Sequence, residues 1–341
     1  MRLHKTTTAV ALVAMLFAAP AVAQTAGNPG PGDIPATRGA PVTLPGDATP
    51  TPPLKVDPTQ LSRGPLELNP AAAIESMTVE TLNRDGSTDS TPAPEGTRSF
   101  FEQASAGSET AMTDRLVIGP DDRLQITDAA GYPERIVGWL WAQTQAGGWS
   151  TCSATLIGPY TVLTAAHCVY FHDQGGWLQQ MVFLPGVTDP ESAPYGQFDW
   201  ENINILKGYI ENYDGTNYGS VLPWDLAVIT LAEDAGNQLG WLGFRVDDAS
   251  QWPSTIIGYP GDKPDGTMWR ASCDIGTDQF GDQIYIHTCD TFSGSSGSSM
   301  YEDAGGGDLY IRGINVAEDD QVNYGVRLIE PYYEFILQNY K

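Results

Sequence analysis

Apolar and polar positions divide the chain into three stretches. Ala9 to Ala19 form a short apolar run, with the basic start Met1-Arg-Leu-His-Lys5 before it and Ala21-Val22-Ala23 behind it. This is the pattern of a secretory signal peptide spanning residues 1–23. The run is too short to cross a bilayer, which takes about 20 apolar residues, and no later segment is better suited. From Gln24 to Leu116 long apolar side chains are scarce, and more than half of the chain's 25 prolines lie here. Little burial is available to offset the entropy of ordering such a backbone. Residues 24–116 therefore read as a mostly disordered Pro/Thr/Ser-rich propeptide or linker, with one weakly helical piece near Pro70 to Leu82.

From Val117 the rhythm changes to short apolar or alternating runs, rich in Val, Ile, Tyr and Trp and bounded by Gly, Pro, Asp and Asn. These predict β-strands, among them Ile136 to Trp141, Ser153 to Ile157, Thr161 to Thr164, Leu226 to Leu231, Ser254 to Tyr259, Gln283 to Thr288 and Leu309 to Val316. Only Pro331 to Tyr340 shows good helical spacing, through Tyr332, Phe335, Ile336 and Tyr340, with a proline suited to the first turn. The fold class expected is all-β, a pair of β domains closed by a C-terminal helix.

Charge and cysteines narrow the setting. A formal net charge of −25 opposes a phosphate backbone, which needs clustered Lys and Arg, so nucleic acid is not an expected partner. Four cysteines in an exported chain argue for disulfides. Of the three pairings they allow, the nearest-neighbour one is taken, Cys152 with Cys168 and Cys273 with Cys289. The spacings match no zinc pattern, and neither a metal nor another cofactor is expected. The mature protein is expected to be a secreted monomer, extracellular or periplasmic, with no membrane attachment once the signal is removed.

Three polar residues carry candidate chemistry. His167, in Thr164-Ala165-Ala166-His167-Cys168, follows a predicted strand and sits on a loop that a Cys152 disulfide would pin. An imidazole, whose ordinary pKa is about 6.5, suits a general base. Asp225, in Trp224-Asp225-Leu226-Ala227-Val228-Ile229, stands at the lip of a buried strand, where it can hold one imidazole tautomer and stabilise the imidazolium. Phe292-Ser293-Gly294-Ser295-Ser296-Gly297-Ser298-Ser299 lies between two predicted strands and follows Cys289. Its glycines let the backbone turn two amides, those of Gly294 and Ser296, toward one point, as an oxyanion hole requires.

The order His, Asp, Ser along the chain differs from that of subtilisins and α/β-hydrolases. From about Val117 onward the sequence resembles chymotrypsin-like serine peptidases, and among them the glutamyl-endopeptidase branch. The resemblance is carried by Val117-Ile118-Gly119-Pro120-Asp121-Asp122-Arg123 with Gln125-Ile126-Thr127-Asp128, and by Gly258-Tyr259-Pro260-Gly261-Asp262-Lys263-Pro264 with Thr267-Met268-Trp269. It implies a two-barrel chymotrypsin-like (trypsin-like) fold, with barrel 1 at about 117–235, barrel 2 at about 236–330 and the helix at about 331–341. It assigns the nucleophile to Ser296 rather than to Ser295, Ser298 or Ser299, and completes a triad with His167 and Asp225. The implied reaction is hydrolysis of a polypeptide through an acyl-enzyme. The chain departs from the branch at Ser295 and Ser299, where Asn or Gln and Pro are usual, which bears on loop rigidity.

Activation and specificity follow from the same resemblance. Ser295 stands where trypsin-like zymogens place the aspartate that receives a new amino terminus, so that switch is absent. Removal of residues 24–116 would instead leave Val117 as the mature N-terminus, near the primary pocket. Substrate-binding candidates are Asp290, Thr291, Gly313, Ile314, Asn315 and Val316, the last four within a strand along which a substrate would add as a further strand. Thr291 matches a pocket threonine of the branch, whereas Asn315 stands where glutamate-preferring members carry a histidine. Asp290 matches the position that gives trypsin-like enzymes their preference for Arg and Lys, so P1 is expected to be Glu/Asp or Arg/Lys. His287 reads as a cross-strand structural residue. Two other classes remain in view, a catalytically idle double barrel that binds a partner and an esterase with the same triad.

Overall fold

The computed structural model describes residues 48–52, 54–56, 69–104, 120–216, 218–246, 251–276, 283–319 and 321–341. The expected signal peptide and Val117 lie outside the described residues. Four strands come early in the chain, β1 (Ala48–Pro50), β2 (Leu54–Lys55), β3 (Val79–Asn83) and β4 (Thr88–Thr91), together with helices α1 (Pro70–Ser76) and α2 (Thr97–Ala104). Then follow β5 (Leu124–Ile126), β6 (Val137–Gln143), β7 (Trp149–Leu156), β8 (Thr161–Thr164), β9 (Tyr170–Phe171), β10 (Gly176–Trp177), β11 (Gln180–Pro185) and β12 (Trp200–Leu206). After the short helix α3 (Lys207–Glu211) come β13 (Ala227–Leu231), α4 (Gly236–Leu239), β14 (Gly243–Phe244), β15 (Trp252–Gly258) and β16 (Met268–Ile275). The last elements are β17 (Ile284–His287), β18 (Ser299–Asp303), β19 (Leu309–Glu318), β20 (Asn323–Arg327) and α5 (Glu330–Gln338).

Two sheets account for nearly all of the strands. The first runs β11-β6-β7-β8-β13-β12-β3-β4 with β1 on β7, and the second runs β17-β20-β19-β18-β15-β16-β5 with β14 and β2 on β19. Apart from the short parallel additions of β1, β2 and β14, every pairing is antiparallel. This is the all-β, two-barrel architecture expected of the sequence. Helix α5 closes it by burying Tyr332, Tyr333, Phe335 and Ile336. One boundary is corrected: Leu124–Ile126 does not belong to the first barrel but pairs with Met268–Arg270 of the second sheet.

A larger correction concerns residues 69–104, expected to be mostly disordered. Asn69 caps α1 by accepting from the Ala72 N–H, and Pro70 occupies its first turn, where a missing N–H costs nothing. The helical piece stops at Ser76, and Val79–Asn83 turns instead into a strand on β12 with Leu82 opposite Ile203. Few apolar residues are present, but they are placed to be buried: Ala73, Met77, Val79, Leu82 and Phe101 all join the core. Local composition gave no sign of this, because the compensating contacts come from β12, more than a hundred residues away.

The hairpin β3-β4 is thus held to the first sheet by one strand partner and a few buried side chains. Leu82→Asp would place a carboxylate in that core with nothing to pair it. The expected outcome is loss of amide-exchange protection in residues 79–91 and along β12, with protection in the second sheet unchanged, read by hydrogen–deuterium exchange on the full chain.

Candidate active site

Strands β8 and β13 run antiparallel with Thr164 opposite Ala227, so the residue three beyond one and the residue two before the other meet at the same end of the first sheet. His167 lies in a 3-10 turn, Ala166–Cys168, and Asp225 ends another, Leu222–Trp224. Both are buried. Asp225 Oδ1 accepts the His167 backbone N–H at 2.9 Å, and Oδ2 accepts Nδ1–H at 2.6 Å. With the Asp225 oxygen accepting, this bond assigns the proton to Nδ1 and leaves Nε2 as a lone-pair acceptor. Nε2 is itself buried and has no hydrogen-bond partner among the described residues.

Ser296 comes from the second sheet, on the loop that leads into β18, and contacts from the first sheet fix that loop. The Ser296 carbonyl accepts from Ser153 N–H of β7 at 2.9 Å. The Gly294 carbonyl accepts from Ser153 Oγ at 2.9 Å. Cys168 Sγ lies 3.7 Å from the Ser296 carbonyl oxygen, a packing contact because a disulfide sulfur carries no proton. Gly297 has φ +82°, and a Cβ there would collide with Thr164 Oγ1 and the Ser153 carbonyl. Only glycine lets the loop seat against the turn that carries His167. Gly294, at φ +89°, likewise has no room for a Cβ beside the Tyr259 carbonyl. His167, Asp225 and the Ser296 loop are therefore brought to one place.

The candidate pocket residues divide. Gly313 pairs with Arg327 on one side and Met300 on the other, and Ile314 with Val326 and Ser299. Both are interior to the sheet, which corrects the expectation that a substrate strand adds along them. The register shifts between Asn315 and Ala317, and the edge becomes available only past Val316, where Ala317 and Glu318 pair with β2. Asn315 is buried and ties down the nucleophile loop. Its carbonyl accepts from Gly297 N–H at 2.8 Å, its N–H donates to the Ser298 carbonyl at 2.9 Å, and Nδ2 donates to the Ser295 carbonyl at 3.2 Å. Its Oδ1 accepts from His287 Nε2, 3.1 Å away.

His287 is fully buried on β17, and burial pushes its pKa down to about 4, with the Asn315 bond opposing. Asp290 is partly buried and accepts the Asp122 N–H at 3.1 Å, while burial raises its pKa and the nearby Asp122 and Asp121 charges add to the rise. The segment after the expected mature start is thus anchored at Asp290. Arg123 of that segment is held between Asp121 and Asp262, and Lys263 reaches Asp121. Thr291 is half-buried next to Asp290.

One part of the site escaped the sequence reading. Beside His167 lies a cavity of about 200 Å³ lined by Tyr170, His172, Tyr209 and Tyr218. His172 stacks on Tyr213 with ring centroids 4.2 Å apart, and Tyr218 OH donates to Asp173 at 2.7 Å. These aromatics come from three segments, β9 with the turn after it, helix α3 and the turn at Tyr218, and no single sequence motif joins them. The expected disulfide pairing is present, Cys152–Cys168 and Cys273–Cys289. Each pair has a histidine close by, His167 or His287, but the sulfurs are bonded to each other and are not available as thiolate ligands.

Two antiparallel sheets with a buried His–Asp pair beside a glycine-framed serine define a serine peptidase of the chymotrypsin-like class. The trypsin family profile matches residues 131–327, and the chain belongs to that family. The enzyme is a serine endopeptidase acting on polypeptides. A Bacillus subtilis (strain 168) protein named extracellular metalloprotease is 30% identical over 277 residues, covering 74% of this chain and 85% of its own. A glutamyl endopeptidase of Bacillus licheniformis is 33% identical over 190 residues, 55% of each chain. A solved structure of a Glu endopeptidase in complex with MPD superposes with a TM-score of 0.56 at 28% identity, covering 65% of this chain and 98% of that one.

The buried His287 yields a prediction for stability. Its folded pKa lies below the ordinary value of 6.5, so the unfolded chain binds the proton more readily. Its contribution is fully present above about pH 6.5, falls as pH drops, and levels off below about 4, a loss of about 3 kcal/mol. His287→Gln, which keeps a polar partner for Asn315 but does not titrate, should flatten the fall in melting temperature between pH 7 and pH 4 relative to the parent.

Proposed function

We propose that the chain is an exported endopeptidase in which Ser296 is the nucleophile, His167 the general base and Asp225 the residue that orients and stabilises the imidazole. The observation that carries this reading is the two-point bond from Asp225 to His167, buried beside the Ser296 loop. In the reaction, His167 Nε2 takes the Ser296 Oγ proton as Oγ attacks the peptide carbonyl. The Gly294 and Ser296 amides hold the oxyanion, and the imidazolium forms against a carboxylate that water does not screen. His167 then delivers its proton to the leaving amine, and water releases the acyl group by the same route. The two disulfides fit an oxidising compartment, extracellular or periplasmic. Removal of the residues before Val117 would generate the mature enzyme.

For P1, two readings rest on different observations. The similarity to a glutamyl endopeptidase favours Glu or Asp. The Asp290 carboxylate at the pocket position favours Arg or Lys, although its bond to Asp122 N–H also gives it an anchoring role. The acyl half of a substrate would lie along β19 from Val316 onward, where the strand edge opens.

A fluorophosphonate should label the active enzyme, and Ser296→Ala should abolish both labelling and peptidase activity. Asp225→Asn should lower kcat by about 10⁴ with the fold intact, because the neutral amide permits the wrong imidazole tautomer. Persistent peptidase activity in Ser296→Ala would overturn the assignment, and hydrolysis of ester substrates without hydrolysis of peptides would mark an esterase instead.

Removing the charge at the pocket should shift selectivity in a fixed direction. Asp290→Asn is expected to raise the ratio of kcat/KM for a Glu substrate over an Arg substrate at least tenfold, measured with paired fluorogenic peptides. An unchanged ratio would assign Asp290 to anchoring alone.

A further inference from the structure

Residues 48–52 and 54–56 lie across the cleft between the two sheets. Ala48, Thr49 and Pro50 pair in parallel with Trp149, Ser150 and Thr151 of β7, and Thr51 N–H extends the ladder to the Thr151 carbonyl at 2.8 Å. The Thr51 carbonyl then accepts the Gly294 N–H at 3.1 Å, one of the two amides assigned to the oxyanion hole. Past Pro52 the chain crosses to the second sheet, where Leu54 and Lys55 pair in parallel with Ala317 and Glu318 of β19. Pro50 packs so closely on Gly261 that a Cβ at that glycine would collide with its ring. Leu54 and Pro52 reach the aromatic cavity beside His167. Thr51, Leu54 and Val56 are all buried.

The direction of this segment decides what it does. In acyl transfer the released amine takes its proton from His167, so the part of a substrate that follows the scissile bond lies over the first sheet, by the Cys152–Cys168 bridge and β7. The part that precedes the bond lies along β19. A substrate therefore runs from β19 to β7, and residues 48–56 run from β7 to β19. Attack on the Thr51 carbonyl would have to expel the Pro52 nitrogen toward β19, where a substrate's acyl half approaches, and not over the first sheet, where the imidazolium proton is delivered.

We infer that Ala48–Val56 is a reversed, uncleaved peptide ligand of the cleft, holding the unprocessed chain inactive, and that the cleft recognises the same Thr-Pro-Pro-Leu sequence when it is supplied as a separate peptide. The inference rests on the catalytic assignment above and goes beyond it. Thr51 blocks an oxyanion donor, Leu54 lines one side of the aromatic cavity, and β2 covers the strand edge that a substrate needs. Reversal protects the segment whatever residue follows Thr51.

Two measurements test this. In the full, unprocessed chain, Leu54→Glu should raise the rate of fluorophosphonate labelling at least tenfold over the parent, because a charge cannot remain in the aromatic cavity. Equal rates would overturn the inference, with labelling itself showing that the triad assignment stands. Failure of the processed enzyme to label would overturn both. A synthetic Ala48–Val56 nonapeptide carrying Pro52→Ala, which removes proline as a separate reason for resistance, should inhibit the processed enzyme competitively and remain intact by mass spectrometry. Absence of inhibition, or cleavage after Thr51 at the rate of an ordinary substrate, would overturn it.

Discussion

The site depends on one residue that reaches across the two sheets. His167 and Asp225 belong to the first sheet and Ser296 to the second, so their alignment is only as good as the coupling between the sheets. Ser153 supplies it: its N–H holds the Ser296 carbonyl, its Oγ donates to the Gly294 carbonyl, and the same oxygen accepts the Tyr259 N–H at 2.9 Å. A single β7 residue, through its backbone N–H and its hydroxyl, thus ties both ends of the oxyanion turn and the end of β15 to the strand whose preceding residue, Cys152, is bridged to the neighbour of His167. Reacting groups need placement to within about 1 Å, and short, buried hydrogen bonds from one rigid strand provide it.

Asn315 secures the same loop from the other side. The resemblance to the glutamyl branch makes it a missing pocket histidine, yet in place it bonds to Ser295, Gly297, Ser298 and His287. Burial keeps His287 neutral over most of the pH range, so it can donate from Nε2 without bringing a charge into the core. The departures at Ser295 and Ser299 lose their significance for rigidity in this light. Ser299 already begins β18, paired with Ile314, and the Ser295 carbonyl is held by Asn315 Nδ2.

Much of this was legible from local sequence, and the exceptions share a cause. Strands β8, β13 and β15 and the His, Asp and Ser motifs announce themselves because each is written within a few consecutive residues. Gly313 and Ile314 look like substrate contacts in sequence but are paired on both sides, because a strand's sequence does not say which of its edges are already taken. The order in residues 69–104, the transfer of β5 to the second sheet, and the aromatic cavity formed by Tyr170, His172, Tyr209 and Tyr218 all depend on partners remote in the chain. Periodicity reports burial along one element and carries no information about what does the burying.

The early strands alternate between the two sheets, β1 on the first, β2 on the second, β3 and β4 on the first again, and β5 on the second. A chain cut before Val117 would keep β5, anchored near Asp290, and release the other four. Departure of β2 opens the edge of β19 beyond Val316, and departure of β3 opens the edge of β12. A newly exposed strand edge invites pairing with another chain unless its sequence resists it. The polar Glu201, Asn202 and Asn204 on β12 give it that resistance, with Asn204 Nδ2 already directed inward to the Val228 carbonyl at 3.3 Å. The edge of β19 carries no such protection at Val316 and Ala317, and that is the edge a substrate has to find.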